Sequence, residues 1–569
     1  MTPRRSTLAA TLVIVIYFLL LAHPNRALYF NRDSVLAIAF LHGYGQVPWG
    51  VQLVKALTVF TGEYRPMAGL YLRTLFAIFG LNPVAFRVAA VLVLLCNLAL
   101  AARWFRLLSQ SGFTAAAAAL LFAFHPRLAE IYYADGAIYD VLCLFFFLLA
   151  LGCYTHIRQD GRVLSTRDLL VVAAFYGAAL GSKEMAVTLP AVLILYEGIF
   201  HPRFRDLRRR GLPILVLALM TALCLVWKVL IPNPMSSNVN QGYAPHYQPS
   251  FIAQQYLEHF RAIFQFDGLS GPVLGAALLF ALLLALVLRD RVMAFGLLFT
   301  VLTLAPVCLV REVAGAVIYL PLLGMALYGG SFLSRLCGLL KARAPGSRAP
   351  VAVPIVIFGL LAIALYAGQA SRAASLSAPY LPEQQALRAL ADAARAASST
   401  LPPGSRILLE NAPDEPASWM PLFLLRLAYR NPTLWVDLFP QGAAAPIDTS
   451  LYRMRIHWDG SQYHAALQPQ SDQPPVLLEA SPSLVHRGFP IHVQFPASYA
   501  GCPVDSAYRM PEDELLRAGV WSSWMTPGAD GQGTAIVLAD AERGPVVVDR
   551  IRVCRREWLP AHATFVIIP

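Results

Sequence analysis

"LLVVAAFYGAALGSKEMAVTLPAVLILYEGIF", residues 169–200, runs directly into "HPRFRDLRRR", residues 201–210. Two apolar runs meet at Lys183 and Glu184, and the second ends on a basic loop. Each run approaches the length at which a helix crosses a bilayer. The motif of apolar run and charged break recurs from Leu8 to Gly368. The chain has 569 residues, 57% hydrophobic and 14% charged, where a soluble protein would carry roughly 25% charged residues. Lipid cannot satisfy exposed backbone groups, so continuous runs of this kind read as helices.

The expected fold is therefore an α-helical polytopic membrane protein with about 11 transmembrane helices. The spans fall at 7–23, 84–102, 113–125, 137–155, 168–182, 185–200, 212–231, 272–288, 292–310, 316–334 and 351–369. Residues 1–371 form this membrane domain. Residues 24–83 make a long first loop whose interrupted apolar pieces, 34–42, 50–60 and "RPMAGLYLRTLFAIFG", read as interfacial helices. Residues 232–271 make a second long loop, rich in Pro, Asn, Gln, Tyr and His. After Arg372 the spans stop. "EQQALRALADAARAA" reads as an amphipathic helix, and "SRILLEN", "IHVQFP", "TAIVLADAERGPVVVDRIRVC" and "ATFVIIP" read as strands. Residues 372–569 are thus expected to form a soluble α/β or α+β C-terminal domain.

The net charge of +12 is distributed as a membrane protein distributes it, and not as a nucleic-acid binder would. Arg4 and Arg5, Arg103 and Arg106, Arg158 to Arg167, the 201–210 loop, Arg289 and Arg291, and Arg335 to Arg348 occupy alternate loops. Basic loops stay cytoplasmic, so the N-terminus is expected inside and the C-terminal domain outside. Met1–Ala27 also fits a signal peptide, with two arginines, an apolar centre and small residues. Cys502 and Cys554 fall in the outside domain, where a disulfide is feasible. The other six cysteines lie in or near spans and read as small apolar residues.

Asp33, Glu63, Arg65, Glu130, Asp135, Asp140, Lys183, Glu184, Lys228, Arg311 and Glu312 all map to the outside ends of spans or to outside loops. Charges at such positions are costly and usually functional. Carboxylates and cations sharing one surface suit a site that removes a proton and binds an anion. Asp135 has an ordinary alternative as a helix N-cap. Asp140 sits one turn deeper, where a carboxylate is harder to keep. Lys183 and Glu184 also fit simple headgroup pairing. Arg65, Lys183 and Arg311 fit a phosphate clamp. Glu197, at an inward end, reads as structural. No P-loop or dinucleotide fingerprint, no zinc spacing and no nucleophile elbow is present. Chemistry facing outside calls for a lipid-borne donor.

"GEYRPMAGLYLRTLFAIFGLNPVAFRVAAVLV", "FHPRLAE" and "LGSKEMAVTLPAVLILYE" resemble the GT-C superfamily of integral-membrane glycosyltransferases, which use polyprenyl-phosphate sugars. The first segment resembles the first loop of lipid A aminoarabinose transferases, and all three resemble protein O-mannosyltransferases. "AVIYLPLLGMAL" is similar to their Arg-Tyr-Leu-Tyr-Leu-Pro stretch, with Ala316 in the place of the arginine and Arg311 nearby. The resemblance covers roughly residues 10–370 and leaves the C-terminal region unmatched. It implies Asp33 as catalytic base, Asp135 or Asp140 as the second-loop acid, with Glu130 beside them, and Glu63 and Glu184 as supporting acids. It also implies Arg65 and Lys183, with Arg311, on the donor phosphate. Ser34 stands where mannosyltransferases carry a second first-loop acid.

The expected function is transfer of a sugar from a polyprenyl-phosphate donor to a lipid, glycan or protein acceptor on the periplasmic face, with inversion at the anomeric centre. No metal or other cofactor is required, since the cations are already supplied. The expected partners are the polyprenyl-phosphate sugar, an acceptor of unspecified class and membrane lipids, with no nucleic acid. The expected location is a bacterial inner membrane. The alternatives are a transporter or flippase of lipid-linked saccharide, which would place charges along a pathway at mid-membrane, and a non-catalytic envelope-glycan assembly protein.

Overall fold

The structure is a computed structural model. It describes residues 65–129, 137–201, 207–230, 245–311, 315–343, 349–402, 405–412, 420–431, 434–440 and 452–468, the isolated residues 15, 29, 30, 35, 38 and 131, and short strand segments between 476 and 568. Asp33, Glu63, Glu130, Asp135, Cys502 and the expected 7–23 span lie outside the described residues, apart from Val15. The chain divides into two compact units, Met1–Gln384 and Gln385–Pro569.

The first unit is helical. Its helices are α1 (Pro66–Phe79), α2 (Pro83–Ser109), α3 (Gly112–Ala123), α4 (Ile138–Gln159), α5 (Thr166–Leu180), α6 (Leu189–Phe200), α7 (Leu207–Leu230), α8 (Pro249–Phe264), α9 (Gly271–Val287), α10 (Arg291–Leu304), α11 (Tyr319–Arg343) and α12 (Ala349–Ala397). Among the described residues five helical segments are long and apolar enough to cross a membrane: Pro83–Ser109, Ile138–Gln159, Arg291–Leu309, Ala316–Leu340 and Val356–Leu376. The chain is a multi-pass membrane protein.

Other apolar runs form shorter helices. The 185–200 run opens as a 3-10 turn, Glu184–Thr188, so α6 holds only 12 residues. At 1.5 Å per residue α6 is about 18 Å long, and the 3-10 turn adds about 10 Å at 2.0 Å per residue, so the run as a whole approaches a bilayer core of about 30 Å. Helix α1 has 14 residues, too few to span. The second long loop contains α8, with His259, Phe260 and Ile263 buried. The composition change at Arg372 falls inside α12, a helix of 49 residues.

Local chemistry sets the helix starts. Asn82 and Ser111 cap α2 and α3 through their side chains, and Ser165 and Asp168 form a reciprocal capping box on α5, each satisfying orphan N–H groups. Asp290 does more than cap. Its carboxylate accepts from Val292 N and Met293 N and from Ser331 Oγ and Arg335 Nε on α11, at 3.0 and 2.8 Å. Small residues then let helices approach. A Cβ on Gly324 would lie 2.3 Å from the Gly296 carbonyl of α10, and one on Gly330 would lie 2.6 Å from the Thr114 carbonyl of α3.

Two contacts tie α8 to this bundle. His125 Nε2 donates to the Ile263 carbonyl at 2.7 Å, while its Nδ1 accepts from Arg127 N. Tyr256 Oη donates to the Val301 carbonyl at 2.9 Å.

The second unit holds α13 (Met420–Tyr429) and several strands. β1 (Arg406–Ala412), β2 (Trp435–Pro440), β3 (Met454–Trp458) and β4 (Tyr463–Leu467) form a sheet in the order β2-β1-β3-β4. β2 and β3 both run parallel to β1, and β4 is antiparallel. Ile407, Leu409, Met454 and Ile456 are fully buried on one face. Tyr429 Oη donates to the Ala394 carbonyl and contacts Met454 Sδ, joining α13, the end of α12 and β3. A six-stranded sheet and a three-stranded sheet follow. They contain the expected strands near 491–496, 534–554 and 563–569. Cys554 is disulfide-bonded, and the six other described cysteines are outside any disulfide.

Candidate active site

Helix α1 begins at Pro66, whose missing N–H costs nothing at a first helical position. The next donor, Met67 N, is satisfied by the Gly181 carbonyl at 3.1 Å. Gly181 is needed there, because a Cβ would sit 2.9 Å from Pro66 Cγ. The contact docks the start of α1 on the break after α5, and so places Arg65 beside Lys183 and Glu184. Arg65 Nη2 lies 3.3 Å from Glu184 Oε2. The Arg65 guanidinium also lies over the Tyr139 ring, 4.8 Å from its centroid, within cation–π range.

Asp140 sits in the first turn of α4, where the helix dipole favours an anion. Lys183 lies in extended backbone ahead of the 3-10 turn. Its Nζ is 2.7 Å from each oxygen of Asp140. The pair is largely dry, with side-chain exposures of 14% for Lys183 and 7% for Asp140. Cys143, one turn along α4, directs Sγ at the Lys183 carbonyl and fixes that backbone further.

The structure thus brings together Arg65, Asp140, Lys183 and Glu184, from three chain segments, with Tyr139 as a fifth member. Tyr139 was not singled out from sequence, and its only signal is adjacency to Asp140 in "AIYD". Arg311 is exposed, and among the described residues no hydrogen bond or ion pair joins it to this group. Among the described residues no cluster of three or more His, Cys, Asp or Glu side chains is placed to hold a metal.

The far end of α4 carries a second clasp. Arg158 donates from Nε and Nη2 to the two oxygens of Glu197 on α6, at 2.6 and 3.0 Å, and Tyr154 Oη donates to the same carboxylate. Glu197 therefore has a buried ion-pair partner, in keeping with the structural role read from the sequence. Asp140 and Arg158 are about 27 Å apart along the helix, close to the thickness of a bilayer core. The two ion pairs hold α4 to the α5–α6 hairpin at both ends of one apolar layer.

Fold and site together describe a multi-pass helical membrane protein with a part-buried cluster of two acids and two cations at one end of its helices. The chain is similar to the protein O-mannosyl-transferase TMTC2 of Mus musculus, with 31% identity over 180 residues, and to that of Homo sapiens, with 29%. The matched segment is 31% of this chain and 21% of either relative, so the likeness spans about a fifth of their length. The resemblance to O-mannosyltransferases read from the sequence is met by relatives of that name. Among solved structures, ArnT from Cupriavidus metallidurans in the apo state aligns over 93% of this chain and 98% of its own, at 12% identity and a TM-score of 0.45. The same protein bound to undecaprenyl phosphate aligns over 76% and 85%, at 14% identity and a TM-score of 0.40. No protein-family model matches the chain.

Proposed function

We propose that this protein is a membrane glycosyltransferase that moves a sugar from a polyprenyl-phosphate donor to an acceptor on the periplasmic face. The observation that carries this reading is the joining of Arg65 and Lys183 with two carboxylates at one end of the bundle. The similarity to proteins named O-mannosyl-transferases supports sugar transfer as the chemistry.

In this mechanism the donor phosphate enters as a competing counter-ion. Arg65 exchanges Glu184 for a phosphate oxygen, and Lys183 turns part of its bonding from Asp140 to the same group. An acceptor hydroxyl or amine attacks the anomeric carbon as the bond to the phosphate oxygen breaks. The acceptor proton passes to Asp33, acting as general base. Charge growing on the leaving phosphate is met by cations already in place, which lowers the barrier without reorganisation. A single displacement inverts the anomeric centre. Asp140 holds the Lys183 ammonium in place, and Tyr139 holds the Arg65 fork in plane. The sequence resemblance assigns Asp135 and Glu130 to the acceptor side, Glu63 to support of Arg65 and Arg311 to the phosphate, while Glu184 restrains Arg65. With cations supplied by side chains, the reaction as proposed requires no metal.

The test is transfer from polyprenyl-phosphate mannose by the purified chain in lipid discs, followed by mass spectrometry of acceptors. Asp33→Asn and Arg65→Ala should each abolish product while leaving a folded protein. Wild-type rates in both variants would remove the catalytic assignment.

A further inference from the structure

The second unit contains a charged cluster of its own. Strands β2, β1 and β3 run parallel, so their carboxyl ends lie along one edge of the sheet. From β1 the chain crosses through α13 to β2 on one side, whereas from β3 it turns into β4 on the other. The crevice at the carboxyl ends of β1 and β3 is therefore a point where the connections part, and open α/β sheets bind ligands at such points.

Side chains are set there by register. Leu408 pairs with Arg455 and Glu410 with His457. Alternation then places Glu410, Arg455 and His457 on the same face. Glu410 is 7% exposed, while Arg455 and His457 are 46% and 45% exposed. Glu410 Oε2 accepts from Arg455 Nε at 2.6 Å and lies 3.8 Å from His457 Nδ1. Asn411 Nδ2 lies 3.5 Å from the same ring nitrogen. Asn411 reaches it from a left-handed backbone, φ 55°, which asparagine tolerates better than most residues.

The consequence is directional. A guanidinium anchored through Nε on a buried carboxylate still has the edge between its two Nη groups to offer a second acceptor. A histidine engaged at Nδ1 presents Nε2. Among the described residues, no partner occupies those nitrogens. Arginine offers donors only, in a fork that matches an oxyanion. We infer that Arg455, oriented by Glu410, and His457, oriented by Asn411, form an oxyanion-binding site that takes a phosphate or carboxylate group. The site belongs to the second unit, and its readout requires no sugar transfer.

The experiment is calorimetric titration of the full chain in detergent with inorganic phosphate and, separately, with glucuronate. Wild type should bind one of them saturably, with Kd on the order of 1 mM or tighter, and the one that binds identifies the source of the oxyanion. Arg455→Gln should weaken that binding by about tenfold or more, and His457→Gln should weaken it in the same direction. Arg455→Lys should fail like Arg455→Gln, because lysine has no Nε to rest on Glu410. The heat lost between wild type and variant is the readout, so phosphate held elsewhere on the chain cancels. Circular dichroism confirms that the variants stay folded, which is expected because both side chains are half exposed. Absence of saturable binding to wild type, or equal binding by wild type, Arg455→Gln and His457→Gln, overturns the site and leaves a solvated ion pair.

Discussion

Lys183 Nζ lies 2.7 Å from both carboxylate oxygens of Asp140, across 43 residues of chain. A symmetrical, nearly dry pair is strongly unbalanced by loss of one partner, since the other stays buried and charged. Asp140→Asn should therefore cost about 3 kcal/mol and abolish transfer. Replacing both members, as Asp140→Leu with Lys183→Met, should recover most of the stability and none of the activity. Thermal unfolding and transfer assays on the three proteins separate the two effects. Recovery of activity in the double variant would make the pair purely structural.

Much of this was legible in the sequence. Arg65, Asp140, Lys183 and Glu184 stood out because charges beside apolar runs are costly. Which acid met which cation was not legible. Lys183 fitted both headgroup pairing and a phosphate clamp, and only the docking of Pro66 on Gly181 distributes the partners. Hydropathy does not register helix type, so the 3-10 turn at Glu184–Thr188 inside the apolar run 185–200 was not legible. The end of the apolar run before Arg372 does not mark the end of α12, because one charged residue need not end a helix. Helix α8 lies in a loop whose polar composition outweighs its buried stripe of His259, Phe260 and Ile263. Asp33, the proposed base, lies outside the described residues and is reached from the sequence, by its place among the outside charges and by the family resemblance.

Two carboxylates separate burial from exposure. Glu197 is held by Arg158 with exposures of 13% and 4%, whereas Glu184 and Arg65 are 37% and 28% exposed. Glu197→Gln should lower stability by about 3 kcal/mol with little direct effect on the donor KM. Glu184→Gln should change stability by less than about 1 kcal/mol but raise the donor KM or lower kcat. Equal unfolding temperatures for the two variants would show that the Glu197 clasp contributes nothing special.

Helix α8 should loosen in acid. Burial, reinforced by the positive charge of Arg127, holds His259 at about 4, below its ordinary value of 6.5. The other charges on its own helix, Glu258 and Arg261, pair with each other. The fold favours neutral His259, so this contribution is complete above pH 6.5 and declines as pH falls toward 4. Its full size is on the order of 3 kcal/mol. Protection factors of α8 amides, corrected for the intrinsic pH dependence of exchange, should therefore be lower at pH 5 than at pH 7, and His259→Leu should remove the difference. Protection factors that are equal at the two pH values in the wild type would refute the docking account.

The crossing of α10 and α11 should tolerate no side chain at Gly324. A Cβ there would sit 2.3 Å from the Gly296 carbonyl and 2.5 Å from Thr300 Oγ1. Both contacts are with groups that cannot move away. The carbonyl is helix backbone, and Thr300 Oγ1 is bound to the Gly296 and Pro321 carbonyls at 3.1 Å each. Gly324→Val must then push the helices apart and break these bonds, at a cost of about 2 kcal/mol or more. Gly338 is the control, on the same helix with nothing within 4 Å of its Cβ position. Gly338→Ala should be neutral or stabilising by up to about 1 kcal/mol, because alanine is the better helix former. Thermal unfolding of both variants in one detergent makes the comparison. If Gly324→Val unfolds with wild type, the helices do not cross at this glycine.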